Sequence, residues 1–425
     1  MFTKTEISLL TLVNCISSAL DLVNPSVINH HKRVAYIGFR LAEELKLPLK
    51  DIQDIVLAGL LHDIGLLSLH DRLDALDFEI KFENQNLVQH GLLGQHLLKK
   101  YFPHSKVPLL IGAHHLYWKD KDNCPLDDQT LLGSQIIHLA DRMDVLIDRN
   151  DEILGQSRGI VSRIETQSGL MFCPELVKVL QKLAVKEYFW LDIVSPQNLW
   201  PISAKLELQM AKVDSNNLLN LAKTFCHIID FRSPFTATHS VGVSASSQAL
   251  AELMDFKPDE CFNIKIAGYL HDLGKLAIPN EILEKPGKLT DLEFNIIKAH
   301  TYYGYRMLEK VPGMELINTW GTLHHERLDG RGYPFHLNAE QLSIGSRIMA
   351  VADIFTALLE DRPYRKSMSE EKALQIILKH AEDGALDENI VSVLKENISE
   401  INLLQNEAQK AATLEYQEFR ALQGY

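Results

Sequence analysis

Two series of histidine and aspartate residues carry side chains that could bind metal ions, one series in each half of the chain. The sequence holds 18 histidines in 425 residues. In the first half the series is His30, His62, Asp63, His90, His114, His115 and Asp141, and in the second half it is His239, His271, Asp272, His300, His324, His325 and Asp353. Neutral imidazoles and carboxylates are ligands for iron, manganese, zinc or cobalt, so each half is a candidate metal centre.

The spacing indicates that the two series are copies of one unit. His30 precedes His62 by 32 positions, and His239 precedes His271 by the same 32 positions. The neighbouring residues agree as well, since LLHDIG matches YLHDLG and LADRMDVL matches VADIFTAL. A shared order over this length predicts an internal repeat rather than two unrelated histidine-rich halves.

Seven ligands in each half exceed the number that one metal ion with an open position needs. They suit two ions bridged by one carboxylate, which would be Asp63 in the first half and Asp272 in the second. Two ions about 3.5–4 Å apart activate water and clamp both oxygens of an in-line phosphoryl displacement. We therefore expect two divalent transition metals at each of two sites, with iron or manganese favoured and nickel, cobalt or zinc as alternatives.

The segments that position these ligands are predicted to be helices. Residues 55–69 and 262–276 place apolar side chains at the i, i+3, i+4 and i+7 positions of an amphipathic helix, and alternating strand patterns are absent. The expected fold is all-α, with two tandem helical bundles. We place the first domain at residues 1–196 and the second at 197–425, with Ser195–Pro201 as the linker because Pro and Ser interrupt the helical pattern there.

Composition and charge exclude several classes of function. Lys and Arg total 43 against 56 Asp and Glu, a net charge of −13, which argues against binding duplex nucleic acid or a membrane surface. The N-terminal segment lacks the basic region of a signal peptide, and the five scattered cysteines lack CxxC spacing. A cytoplasmic location is expected.

The second half resembles the HD-GYP family of the HD superfamily of metal-dependent phosphohydrolases. The motifs that carry the resemblance are HDLGK (His271–Lys275), HHERLDGRGYP (His324–Pro334) and VADIFTALLEDRPYR (Val351–Arg365), and it extends over residues 218–391. Members hydrolyse cyclic di-GMP or, in some cases, 3′,3′-cyclic GMP-AMP (cGAMP). The first half is similar to an HD domain that keeps the ligands but lacks the GYP stretch.

The resemblance implies roles for individual residues of the second half. Asp272 would bridge the metals, and Lys275 would hold a phosphate oxygen and stabilise charge in the transition state. The remaining expected substrate residues are those of the GYP loop and of the RPYR segment: Gly330, Tyr333, Pro334, Arg362 and Arg365.

Three departures from the family pattern bear on these expectations. Phe235 stands where some members have a glutamate for a third metal, so a two-metal site is expected. Thr356 replaces an aspartate that the first half retains as Asp144, which puts a role for that carboxylate in the second site in doubt. Leu66 stands in the first half where the family lysine would be.

The expected activity is hydrolysis of a cyclic dinucleotide to the linear 5′-phosphorylated product, a phosphoric diester hydrolase reaction. The first half would be a 5′-nucleotidase acting on that product, or a structural or regulatory metal site. Two alternatives remain for the whole chain: a nucleotide-binding signalling adaptor with a regulatory metal centre and little turnover, and a general nucleotide phosphohydrolase. Signalling proteins are the expected partners, and the heptad-like residues 389–422 form either a packing helix or the contact of a homodimer.

Overall fold

The computed structural model describes residues 7–21, 28–66, 85–99, 102, 105–195, 202, 205–206, 212–231, 233, 236–361 and 365–422. The chain divides into two compact units, one from Ser8 to Lys212 and the other formed by Met1–Ile7 together with Val213–Tyr425. Two two-residue strands, β1 (Ile7–Ser8) and β2 (Lys212–Val213), lie where the chain passes between the units. All other regular elements of the described residues are helices, which confirms the all-α class. The domain limits of 196 and 197 stay a prediction, and residues 196–201 of the predicted linker lie outside the described residues.

The described residues of the first unit form α-helices and a short 3₁₀ helix, Trp118–Asn123. The α-helices are α1 (Leu9–Asp21), α2 (His30–Glu44), α3 (Leu49–Leu61), α4 (Gln85–Lys99), α5 (Val107–Gly112), α6 (Asp128–Val145), α7 (Ile153–Glu165), α8 (Pro174–Ala184) and α9 (Glu187–Val194).

The second unit repeats this pattern and adds helices at its C-terminal end. Its α-helices are α10 (Ser215–Asp230), α11 (His239–Leu253), α12 (Pro258–Leu270), α13 (Asn280–Leu283), α14 (Asp291–Leu308), α15 (Glu315–Thr322), α16 (Ile344–Leu359), α17 (Glu370–Glu382), α18 (Glu388–Glu396) and α19 (Ile398–Leu422). A 3₁₀ helix, Leu273–Ala277, follows α12.

Some of the helices that carry predicted ligands, α6 and α14 among them, begin with side-chain caps. The Asp127 carboxylate accepts hydrogen bonds from the backbone N–H groups of Gln129 and Thr130 at the start of α6. Thr290 and Glu293 form a reciprocal capping box at the start of α14. These caps satisfy N–H groups that have no partner within the helix, so they fix where α6 and α14 begin and with them the positions of Asp141 and His300.

A central helix organises the core of each unit. In the first unit α2 packs against α3 and α6, and in the second α11 packs against α12, α16 and α19. The side chains of Val34 and Ile37 on α2 and of Val243 and Leu250 on α11 are buried with at most 1% of their surface exposed. Because the first histidine of each series begins the central helix, core packing fixes that histidine relative to the others.

The predicted helices through the two HD pairs are shorter than the apolar pattern indicates. The first, α3, ends at Leu61, and the chain then forms turns in which Leu66 N donates to Asp63 O at 2.9 Å.

A glycine follows each HD pair and lies close to the next ligand-bearing helix. A Cβ on Gly65 would be 2.1 Å from the carbonyl oxygen of His90, and a Cβ on Gly274 would be 1.8 Å from the carbonyl oxygen of His300. The glycine after each HD pair therefore allows the third histidine to approach it.

The C-terminal helix α19 packs along α11. Ile401, Ala412 and Phe419 are buried along one face of α19, whereas Leu403 and Leu414 are exposed. Ile401, Ala412 and Phe419 of the heptad-like tail therefore pack within the second unit.

No helix among the described residues is both long enough and apolar enough to cross a lipid bilayer.

Candidate metal centres

The seven predicted ligands of the second half converge on one buried cluster. Their ligand atoms form groups within 4.8 Å: His239, His271 and Asp353; His271, Asp272 and His324; and His300, His324 and His325. Asp272 lies between two sides of the cluster, since its Oδ2 is 3.1 Å from His271 Nε2 and its Oδ1 is 3.4 Å from His300 Nε2. This is the position that a bridging carboxylate requires.

The first half builds the same arrangement. Its groups within 4.8 Å are His30, His62 and Asp63, and His90, His114 and His115. Asp63 Oδ2 is 3.4 Å from His62 Nε2 and its Oδ1 is 3.3 Å from His90 Nε2. Asp141 Oδ1, the last ligand in sequence, is 3.5 Å from His30 Nε2.

The geometry of both clusters fits metal ions. Bonds of about 2.0–2.2 Å from a metal to nitrogen or oxygen place two ligands of one ion about 3.0–4.3 Å apart, which spans the distances above. In the second cluster, His271 Nε2 and Asp272 Oδ1 are buried and have no hydrogen-bond partner among the described residues. Because unpartnered buried polar atoms are costly, these two atoms are suited to holding a cation.

Backbone carbonyls orient five of the ten imidazoles in the two clusters. The Nδ1 atoms of His62, His114, His271, His300 and His324 each lie 2.6–2.9 Å from the carbonyl oxygen three residues earlier. A carbonyl only accepts, so Nδ1 carries the hydrogen and the Nε2 lone pair faces the cluster. The helical turn before each of these histidines therefore directs its Nε2 lone pair into the cluster.

Burial favours the neutral, metal-binding form of His62 and His300. It lowers the pKa of His62 to about 4 and that of His300 to about 3. Burial alone would raise the pKa of Asp272, but its interactions with the neighbouring His271 and Lys275 hold that pKa well below its usual range. Neutral imidazoles and an ionised carboxylate are the protonation states that metal binding requires.

The first histidine of each series is oriented by a carboxylate, and the two halves use different ones. In the first half, His30 Nδ1 donates to Asp144 Oδ2 at 2.7 Å, and Arg33 also donates to Asp144. In the second half, His239 Nδ1 donates to Glu360 Oε2 at 2.9 Å.

Sequence reasoning missed Glu360. Thr356 replaces the aspartate of the first half, and Glu360 supplies a carboxylate from four residues further along the chain. The signal was present in the sequence, because an acidic residue one helical turn after Thr356 lies on the same side of the helix. The second site therefore has an orienting carboxylate despite its threonine.

Lys275 lies beside the central carboxylate of the second cluster. Its Nζ donates to Asp272 Oδ2 at 2.5 Å, and 18% of its side chain is exposed. The corresponding residue of the first half, Leu66, is buried with 1% exposure. A lysine at this position places a positive charge beside Asp272, whereas the first site has an apolar side chain at the corresponding position.

The GYP loop borders the second cluster at His325. Tyr333 N donates to His325 O at 3.2 Å, and the centroids of the His325 and Tyr333 rings are 4.9 Å apart.

Glycines and hydrogen bonds to Glu326 determine the shape of the GYP loop. A Cβ on Gly332 would be 2.4 Å from Glu326 Cα, so only glycine fits there. Gly330 adopts a φ of 73°, and the peptide bond between Tyr333 and Pro334 is cis. Glu326 holds the far side of the loop by accepting from Phe335 N at 2.6 Å and from Leu337 N at 3.0 Å.

The two arginines of the RPYR segment stay predictions as substrate residues. Arg365 donates to the carbonyl oxygens of Ala357 at 2.6 Å and Leu358 at 3.0 Å, near the C-terminal end of α16. Arg362 lies outside the described residues, and so does Phe235, on which the expectation of a two-metal site depends.

A mostly apolar cavity of about 470 Å³ borders the first cluster. Its walls include Leu92, Leu109 and Leu126, together with His114 and His115 of the cluster. The HHLYWKDKDNCPL segment, which stands in place of the GYP loop, contributes much of this wall.

Comparisons with known proteins agree with both clusters. Family models of the HD domain match residues 27–146 and 223–390. The chain is 32% identical over 395 residues to 3′3′-cGAMP-specific phosphodiesterase 1 of Vibrio cholerae, a match that covers 90% of each protein. It is 42% identical over 142 residues to a cyclic di-GMP phosphodiesterase of Pseudomonas aeruginosa, covering 33% of this chain and 34% of that protein. The crystal structure of a cyclic GMP-AMP-specific phosphodiesterase of V. cholerae matches with a TM-score of 0.64 at 25% identity, covering 92% of this chain and 98% of that one. The chain therefore belongs to the HD-GYP family of metal-dependent phosphohydrolases and carries two HD domains in tandem.

Proposed function

We propose that this chain is a metal-dependent phosphodiesterase that hydrolyses a cyclic dinucleotide, 3′,3′-cGAMP or cyclic di-GMP or both, to the linear 5′-phosphorylated dinucleotide. The observation that carries the proposal is the second cluster, where seven ligands, Lys275 and the Tyr333 loop lie side by side. Relatives named for each of the two substrates support it.

We assign two divalent transition metals to each site, with iron or manganese favoured. In the second site they would be held by His239, His271, Asp272, His300, His324, His325 and Asp353. When bound, such ions supply an activated water and stabilise charge on the phosphoryl oxygens. They also give the site the positive field that a chain of net charge −13 lacks elsewhere.

The residues of the chain provide orientation and charge around these ions. Asp272 joins the two sides of the cluster through its two oxygens. Lys275 places a positive charge beside Asp272, where it stabilises a phosphate oxygen that becomes more negative in the transition state. Tyr333, at the edge of the cluster, offers an aromatic face on which a nucleobase can stack.

A signalling adaptor with little turnover is the less favoured function. A binding module needs neither a complete set of buried metal ligands nor a lysine against the bridging carboxylate. A threonine in place of the aspartate, Thr356, would favour an adaptor, but Glu360 supplies a carboxylate to His239 instead.

The direct test is hydrolysis of a panel of cyclic dinucleotides by the metal-loaded full chain, with products separated by chromatography. Asp272→Ala is expected to lose essentially all ring opening, because it removes the carboxylate between the two sides of the cluster. Asp63→Ala, the same change in the first half, is the matched control and is expected to keep ring opening. Wild-type protein that binds a cyclic dinucleotide but never linearises one would contradict the proposal and favour the adaptor.

The first half has a second candidate function, removal of the 5′-phosphate from the linear product. Two observations favour it over a purely structural site: the cluster is complete, and an apolar cavity of about 470 Å³ adjoins His114 and His115. A terminal phosphate needs less enclosure than a macrocyclic diester, so a site without the GYP loop and with Leu66 in place of lysine can still accept it.

Phosphate release from the linear dinucleotide tests this second function. Wild type, Asp63→Ala and Asp272→Ala would each be supplied with the linear compound directly. Loss of phosphate release in Asp63→Ala alone is the expected result. If wild-type protein releases no phosphate, the first half is instead a metal-stabilised regulatory partner of the catalytic half.

A further inference from the structure

The first site contains an imidazole that has no counterpart in the second. Helix α2 begins with two adjacent histidines, His30 and His31, whereas α11 begins with His239 and Ser240. The side chain of His31 is buried, with 5% of its surface exposed. It belongs neither to the seven repeated ligands nor to the apolar core.

A buried carboxylate fixes the direction in which His31 points. His31 Nδ1 lies 2.5 Å from Asp21 Oδ1. An ionised carboxylate only accepts, so Nδ1 carries the hydrogen and Nε2 presents its lone pair. The equivalent carboxylate of the second half, Asp230, instead accepts hydrogen bonds from Ser240 Oγ at 2.8 Å and from Ser240 N at 2.9 Å. These contacts do not extend to the second cluster.

The free end of His31 faces the first cluster. Its Nε2 is buried, has no hydrogen-bond partner among the described residues, and lies 3.9 Å from Asp63 Oδ2. His30 Nε2, a predicted ligand, is 3.7 Å from the same oxygen. Both distances fall within the range of about 3.0–4.3 Å for two ligands of one ion.

We propose that His31 is an additional metal ligand of the first site, on the side of Asp63 Oδ2, with Asp21 as the carboxylate that orients it. The inference rests on the proposed metal occupancy of the first half. A metal-bound histidine whose other ring nitrogen donates to a carboxylate is a recurrent arrangement, and the carboxylate strengthens the ligand.

The two sites then differ at the same carboxylate oxygen. Lys275 Nζ occupies the space beside Asp272 Oδ2 in the second site, and His31 Nε2 approaches the equivalent oxygen of Asp63 in the first. At this position the second site has Lys275, a charged group that can donate a hydrogen bond to substrate. The first site instead has His31, a neutral imidazole that can donate its lone pair to a metal ion. It is built to retain its metal more firmly, and the second to grip a phosphodiester.

Metal retention measures this difference without any assay of activity. The full chain would be loaded with Mn²⁺ and dialysed against increasing concentrations of a chelator, and its metal content would be counted by mass spectrometry. His31→Ser, which reproduces the second-half residue, is expected to release first-site metal at a chelator concentration at least about tenfold below wild type. Ser240→Ala is the matched control in the second half and is expected to match wild type.

Two further variants keep the outcome decisive. Asp21→Asn leaves His31 in place but weakens its orientation, so it is expected to shift release in the same direction by a smaller factor. Unchanged release from both His31→Ser and Asp21→Asn, with Asp63→Ala releasing metal readily, would overturn the assignment of His31 alone. If Asp63→Ala loses no metal at all, the first site is not a metal site, and the occupancy and this inference both fail. Thermal unfolding of the metal-free variants, followed by circular dichroism, checks that each one folds.

Discussion

Glu360→Gln tests whether the carboxylate beside His239 replaces the missing aspartate of the second site. Glu360 accepts two hydrogen bonds, from His239 Nδ1 at 2.9 Å and from Gln409 Nε2 at 2.5 Å. A glutamine side chain has a single oxygen, so one of the two donors loses its acceptor. With 11% of the Glu360 side chain exposed, solvent replaces little of what is lost.

The expected loss follows from the strength of these hydrogen bonds. A hydrogen bond to a charged group contributes about 1.5–3 kcal/mol and a neutral one about 0.5–1.5 kcal/mol. The midpoints of these two ranges differ by about 1.3 kcal/mol, which corresponds to about tenfold. This is the lower end of the range of about 10–100-fold observed when the partner of a ligating histidine is removed. We expect Glu360→Gln to lower kcat/KM for ring opening, the retention of second-site metal, or both, by about this factor.

The assay compares Glu360→Gln with Asp144→Asn, which removes the equivalent carboxylate charge beside His30 in the first half. Ring opening and metal content would be measured for both in the full chain. Glu360→Gln is expected to impair the second site and Asp144→Asn the first. A Glu360→Gln protein with wild-type ring opening and wild-type metal content would refute the role assigned to Glu360.

Three other predictions concern the second site and the stability of the fold. Lys275→Ala is expected to slow ring opening by about 10²–10³ while metal content is retained, since it removes one preorganised charge; a wild-type rate would show that Lys275 does not act on the substrate. Gly332→Ala is expected to displace the GYP loop, because its Cβ would be 2.4 Å from Glu326 Cα, so ring opening should fall while metal counts stay normal. In metal-free protein, the pKa of His62 is lowered to about 4, from about 6.5 in the unfolded chain. The unfolded state therefore binds more protons between these values, and stability should fall as the pH drops from about 6.5 to 4; a urea midpoint that stays constant over this range would contradict the reasoning.

Much of the site was predictable because its histidine and aspartate residues occur at short, repeated spacings in the sequence. The adjacent His62 and Asp63, the paired His114 and His115, and their repetition in the second half identify ligand types without any knowledge of packing. The apolar periodicity between them predicts helices, and that prediction is confirmed. The ends of the helices were less predictable. The apolar pattern continues past Leu61, but α3 ends there, and the turns that follow bring Gly65 close to the backbone of His90.

The sequence by itself determined the two sets of candidate ligand residues, their order, the all-α class and the family. The tertiary structure decided which side chain meets each ring nitrogen: Glu360 reaches His239, Asp21 turns His31 toward Asp63, and Arg365 lies on the carbonyls near the end of α16. The physical reason is that a residue's type and local spacing establish what it can bind. Its actual partner depends on which helices the core packs side by side, and residues far apart in sequence, such as His30 and Asp144, become neighbours only there.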